Sequence, residues 1–155
     1  MLRMSKLTDY GTVVMTYLAR NQSHLCTAPE IAGSVFLGVP TVSKILKALA
    51  KEGLVVSYRG VKGGYSLARP AEQISVARII DALEGPISFT ECSEESGACV
   101  QESVCSIRGN WQRINQVIRE ALERVTLAEL ARPASARPLS IKIPSPRLRA
   151  DAASA

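Results

Sequence analysis

The sequence predicts a mainly α fold with a small β-hairpin wing and a long C-terminal helix. Three observations lead there. Apolar residues recur at three- and four-residue steps through residues 6–50 and again through 105–130, which is helical periodicity. One pair of short strand-like stretches flanks a glycine-rich basic turn near residue 60. A length of 155 residues, 46% of them hydrophobic, suits one domain of ordinary size with a real core.

The first helix is expected over Lys6–Arg20, with Leu7, Tyr10, Val14, Tyr17 and Leu18 on its apolar face. Thr27 is placed to cap a second helix, with Pro29 in its first turn and Glu30 three residues after the cap. Ile31, Ala32 and Val35 supply its buried side. Phe36-Leu37-Gly38-Val39 then breaks the period. A third helix opens at Pro40 or Thr41, turns Val42, Ile45, Leu46 and Leu49 inward, and ends at a left-handed Gly53. Two helices around a short glycine-containing turn are a helix-turn-helix signature. Leu54–Tyr58 reads as a strand, Arg59–Gly64 as a turn and Tyr65–Ala68 as the returning strand. Residues 1–70 therefore read as a winged helix-turn-helix.

Ile74–Leu83 is a further short helix, with Ser75 a candidate cap and Gly85-Pro86 its stop. The longest helix is expected from Cys105 to Leu130. Ile107, Trp111, Ile114, Ile118, Ala121 and Val125 make a heptad-like seam along it, and Arg119–Glu123 and Glu120–Arg124 can pair on its flanks. So long a seam exceeds the partner surface of a small chain. It is read as a homodimer interface carried by Trp111, Ile114, Ile118 and Val125, with packing inside the monomer as the alternative. Residues 71–130, a cysteine-containing loop and this helix, are expected to share one compact domain with 1–70. Residues 131–155 hold four of the eight prolines and seven alanines without an apolar period, and read as a disordered Ala/Pro/Arg-rich tail.

The net charge of +5 is unevenly spread. Residues 1–70 carry nine basic and three acidic side chains, residues 71–130 five and ten, and residues 131–155 five and one. A basic first half joined to an acidic segment suits a polyanion-binding module attached to something else. No apolar run reaches the length of about 18–20 residues that a membrane helix requires, and the amino terminus lacks the regions of a secretory signal. A cytoplasmic protein with no membrane partner is the expectation.

On the third helix Thr41, Ser43, Lys44 and Lys47 fall on or near the face opposite the core, where recognition helices meet the major groove of a double-stranded operator. The lysines suit phosphates. Arg59, in the wing turn with Lys62, is the candidate for a minor groove. The turn matches neither the Walker nor the dinucleotide spacing, so a nucleotide enzyme is disfavoured.

Cys92, Cys99 and Cys105 form C-x6-C-x5-C just before the long helix, and three thiolates so close can converge on one soft metal centre. The short pairs of structural zinc sites and the ferredoxin run are both absent. A thiol switch therefore remains open beside a metal or cluster. Cys26 stands alone and suits small-residue packing, and His24, between helices, is expected at the surface.

The LTDYG of the first helix, VPTVSKILKALAKEGLV, the wing RGVKGGYSLARP and the loop cysteines together resemble the Rrf2 family of dimeric winged-helix regulators, which includes IscR and NsrR. The stretch ECSEESGACVQESVCSIRGNWQRIN looks most like the branch that regulates SUF iron–sulfur assembly genes. The resemblance implies an iron–sulfur cluster, two-iron or four-iron, on Cys92, Cys99 and Cys105, and DNA contacts for Arg59, Ser43 and Lys44. The IscR pattern has a histidine ligand where this chain has Arg108, whose guanidinium stays protonated. The nitric-oxide-sensor pattern uses a first-helix aspartate from the other subunit, which corresponds to Asp9. The expected function is a transcription regulator, with repression the expected sense, that senses cluster status and controls SUF-type genes. The alternative keeps DNA binding and makes the cysteines a thiol, nitric-oxide or zinc switch. An enzyme is not expected, because the lone histidine has no acid–base partner in the sequence pattern.

Overall fold

The computed structural model describes residues 4–90, 100 and 104–133. The helix α1 (Lys6–Arg20) starts at Ser5, whose hydroxyl accepts from the Thr8 amide. Its inward face is Thr8, Gly11, Val14, Met15 and Leu18, so it is turned relative to the expected stripe. Leu7, Tyr10 and Tyr17 lie half-buried on the flank. Gly11 explains the rotation. A Cβ there would run into the Leu83 side chain, so the missing side chain lets the two helices approach closely.

The helix α2 (Ala28–Val35) opens with the expected capping box. The Glu30 amide donates to Thr27 Oγ1 at 3.3 Å and the Thr27 amide to Glu30 Oε2 at 3.2 Å. It ends on Phe36 in the left-handed region at φ 56°, a conformation that costs a non-glycine residue energy. The chain bends by 117° into α3 (Val39–Lys51), giving the helix-turn-helix. That helix starts at Val39, slightly earlier than expected, because the extended Gly38 serves as its cap. Val42, Ile45, Leu46 and Leu49 are fully buried, and Gly53 follows at φ 68°.

Strands β1 (Val55–Tyr58) and β2 (Gly64–Leu67) pair antiparallel with Val55 opposite Leu67 and Tyr58 opposite Gly64. A third short segment joins them. Cys26 and Tyr65 exchange both backbone hydrogen bonds, at 3.0 and 2.8 Å, which pins the wing to the α1–α2 junction. A 3-10 turn (Ala71–Gln73) leads to α4 (Val76–Glu84), capped by Ser75 as expected.

The single helix expected over 105–130 is divided. Helix α5 covers Arg108–Arg124 and α6 covers Leu127–Leu130. Val125 between them is extended, and its carbonyl accepts from the Val76 amide at 2.9 Å, while the Leu127 amide donates to the Ile74 carbonyl at 2.7 Å. Thr126 and Glu129 form a second capping box that opens α6. Two tertiary bonds and a cap thus outweigh helical continuity. No single described helix is long and apolar enough to cross a membrane.

Candidate nucleic-acid interface and sensing segment

The inward face of α3 is fully occluded, so the helix can offer only its other face. Lys44 and Lys47 are exposed there, with Thr41 and Ser43 half-buried beside them. The first turn of α3 has no side-chain cap and no acidic residue, so its unsatisfied amides keep a positive local potential. In the wing turn Arg59 and Lys62 are both exposed. The Gly63 amide donates to the Gly60 carbonyl at 2.9 Å and Gly60 sits at φ 110°. A Cβ on Gly63 would meet the Tyr58 carbonyl oxygen, so only glycine allows this tight, basic reversal. Val61 at its apex and Phe36 between α2 and α3 are also exposed, two apolar side chains that no basic pattern marks.

Of the expected cluster ligands, Cys92 and Cys99 lie outside the described residues. Cys105 is half-buried, at the foot of α5, where its carbonyl accepts from the Arg108 amide at 3.4 Å. Asp9 is exposed in the first turn of α1, and its carboxylate has no hydrogen bond or ion pair among the described residues. Three thiols and an uncommitted carboxylate are a donor set that suits an iron–sulfur cluster.

Asp9 stands on a well-held helix end. Its neighbour Thr8 is fully buried and donates its hydroxyl to Glu84 Oε1, which also accepts from the Ser5 amide at 2.8 Å. These hydrogen bonds from Ser5 and Thr8 hold the Glu84 carboxyl below its usual range. The link joins the start of α1 to the end of α4, and no periodicity argument could have found it.

Helix α5 has no buried residue. It is tied to α4 by a forked ion pair, with Arg119 Nη2 at 2.8 Å from Asp81 Oδ2, and to the segment after α4 by Asn115 Nδ2 donating to the Ile87 carbonyl at 3.2 Å. Arg119 also meets Glu123 at 3.0 Å, as expected. Asp81 raises the Arg119 pKa further above its ordinary value. Ile107, Trp111, Ile114 and Val117 are 53, 38, 45 and 41% exposed, an apolar stripe left uncovered. Ile118 is half-buried. Val125, expected at the end of the same seam, is instead 8% exposed and packs with Val76 and Ile80 inside its own chain.

A further cluster lies at the α1–α2 junction. His24 is exposed, as expected, but its Nε2 is 2.9 Å from Glu30 Oε1 and 3.8 Å from the sulfur of buried Cys26. The hydrogen bond from His24 holds the Glu30 carboxyl below its usual range, helped by the Thr27 amide. Burial, with the nearby Glu30 charge, pushes the Cys26 thiol up. The signal for this cluster, H-x-C-x3-E, was short enough to read as three unrelated residues.

The family described as Rrf2, iron-dependent transcriptional regulator, matches residues 4–133. Protein rrf2 of Nitratidesulfovibrio vulgaris is 32% identical over 138 residues, covering 88% of this chain and 92% of that one. The structure of CymR, the global cysteine regulator of B. subtilis, superposes with a TM-score of 0.67 at 32% identity over 84% of this chain and 97% of that one. T. potens IscR superposes with a TM-score of 0.64 at 31% identity, covering 83% of this chain and 85% of that one. The winged helix thus has the architecture of known regulators, and the relatives are regulators rather than enzymes. The chain belongs to the Rrf2 family of transcriptional regulators.

Proposed function

We propose that the protein is a homodimeric, operator-binding regulator that senses iron–sulfur status and controls SUF-type assembly genes, with repression as its sense. The observation that carries DNA binding is the division of α3 into a fully buried apolar face and an outer face bearing Thr41, Ser43, Lys44 and Lys47. The lysines neutralise phosphates, Ser43 and Thr41 reach base edges or phosphates in the major groove, and Arg59 with Lys62 follows the adjacent minor groove. Two copies meeting through Trp111, Ile114 and Ile118 would present two such units to the half-sites of one operator.

Cys92, Cys99 and Cys105 would hold the cluster, with Asp9 of the partner subunit as the fourth ligand. Bound there by three thiolates and one oxygen ligand, the cluster would supply sensitivity to iron supply, oxidants and nitric oxide. The chain's own part is transmission. Asp9 adjoins Thr8, which is locked to Glu84, and α1 packs against α3. Displacing Asp9 therefore pulls on the helix beneath the reading surface.

The likeness to Staphylococcus aureus CymR, whose structure is known in an oxidized form, supports a second reading in which the same cysteines act as thiols or bind zinc. Anaerobic purification with iron and acid-labile sulfide analysis separates the two. Stoichiometric iron and sulfide are expected; neither, or zinc alone that is lost when Cys92, Cys99 and Cys105 are replaced by alanine, would favour the second reading. Arg59→Ala and Lys44→Ala should each weaken operator binding and lower the salt slope by about one. Unchanged binding in both would remove the assigned surface.

A further inference from the structure

We propose that His24, Cys26 and Glu30 form a binding site for one divalent transition-metal ion of the zinc class, where α1, α2 and the wing meet. The site goes beyond the regulator reading and uses none of the loop cysteines. An imidazole nitrogen, a sulfur and a carboxylate oxygen lie within 4.8 Å of one another. Such a mixed donor set suits a borderline-soft ion and not magnesium or calcium, which take oxygen ligands.

The spacing is close to what coordination requires. Tetrahedral zinc, with bonds of about 2.0–2.3 Å, holds its ligand atoms about 3.3–3.7 Å apart. The 3.8 Å between His24 Nε2 and Cys26 Sγ nearly meets this as it stands. The 2.9 Å between His24 Nε2 and Glu30 Oε1 is a hydrogen bond that has only to open slightly for an ion to enter.

The surroundings favour occupancy as well. The Cys26 sulfur forms the buried floor, while the His24 and Glu30 side chains are 50 and 37% exposed above it. An ion can therefore enter from solvent and keep a water as its fourth ligand. Glu30 can bind without losing its capping role, because Oε2 holds the Thr27 amide while Oε1 faces His24. Cys26 is fixed by its paired backbone bonds to Tyr65, so the sulfur is held in place before any ion arrives. A bound ion would tie the first turn of α2 to the segment that anchors the wing.

The test uses the full chain with Cys92, Cys99 and Cys105 replaced by alanine, titrated with Co2+ and then with Zn2+. The expected result is one Co2+ per chain with a sulfur-to-cobalt charge-transfer band, displaced by Zn2+. His24→Ala and Glu30→Gln in that background should each weaken binding about tenfold or more, and Cys26→Ala should remove the band. Because Cys26 is buried, His24→Ala at the surface is the decisive variant. Negligible binding by the loop-cysteine-free chain, or equal affinity in His24→Ala and its parent, would overturn the site.

Discussion

Helices α3 and α5 are both amphipathic, yet they dispose of their apolar residues in opposite ways. The 13-residue α3 buries four large side chains completely. The 17-residue α5 buries none, and leaves Ile107, Trp111, Ile114 and Val117 in contact with solvent. One helix is completed by its own chain. The other is joined to its own chain by half-buried Leu122 and by polar ties through Arg119 and Asn115, with its apolar stripe left for something else to cover. Mutations in the two should therefore act on different equilibria.

The sharpest contrast comes from one truncation in each. Leu46→Ala should cost about 2–5 kcal/mol of folding stability, read by urea unfolding, because it leaves a cavity in a fully buried site. Ile114→Asp should leave the unfolding of the winged helix nearly unchanged and convert the proposed dimer to monomer in sedimentation experiments. A dimer that survives Ile114→Asp would show that the stripe on α5 is not the interface.

A smaller effect is expected at the polar tie. Arg119→Ala should cost about 1 kcal/mol, since its ion pair with Asp81 is 31 and 24% exposed and water screens it. The loss should fall on α5, with faster amide exchange there than in α3. Equal acceleration in both helices would mean that they unfold as one unit.

The smallest effect is pH-dependent. Glu84 has a lowered folded pKa, so its contribution is complete above the unfolded carboxylate value of about 4.3 and is lost as pH falls through the folded one. Glu84→Gln should therefore be less stable than wild type at neutral pH, with the gap closing in acid. A gap that widens in acid would contradict the hydrogen-bonded carboxylate.

The local features were legible wherever a short motif determines them. The capping box of Thr27 and Glu30, the Ser75 cap, the left-handed Gly53 and the inward face of α3 all follow from a few neighbouring residues. The rotation of α1 was not legible, because it depends on Leu83, far along the chain, seating against Gly11. The end of α5 was half-legible. Thr126-Leu127-Ala128-Glu129 is a capping box in plain view, but the apolar period running up to it from Ile107 to Val125 made the whole of 105–130 read as one helix. The antiparallel bridge between Ser75 and Thr126, with its two backbone bonds, decides the break together with that cap.

The candidate sites divide in the same way. Exposed cations on α3 and the wing could be located by periodicity, because the buried face of an amphipathic helix determines its outer one. His24, Cys26 and Glu30 could not, since their convergence depends on the β-bridge that draws Cys26 against the wing and on the cap that turns Glu30 back. Periodicity and capping chemistry are short-range, so residue order alone specified helices α1 to α4, the hairpin and the outer face of α3. Contacts between distant segments carry no local pattern, and so the facing of α1, the end of α5 and the anchoring of Cys26 against the wing were settled only when the chain packed.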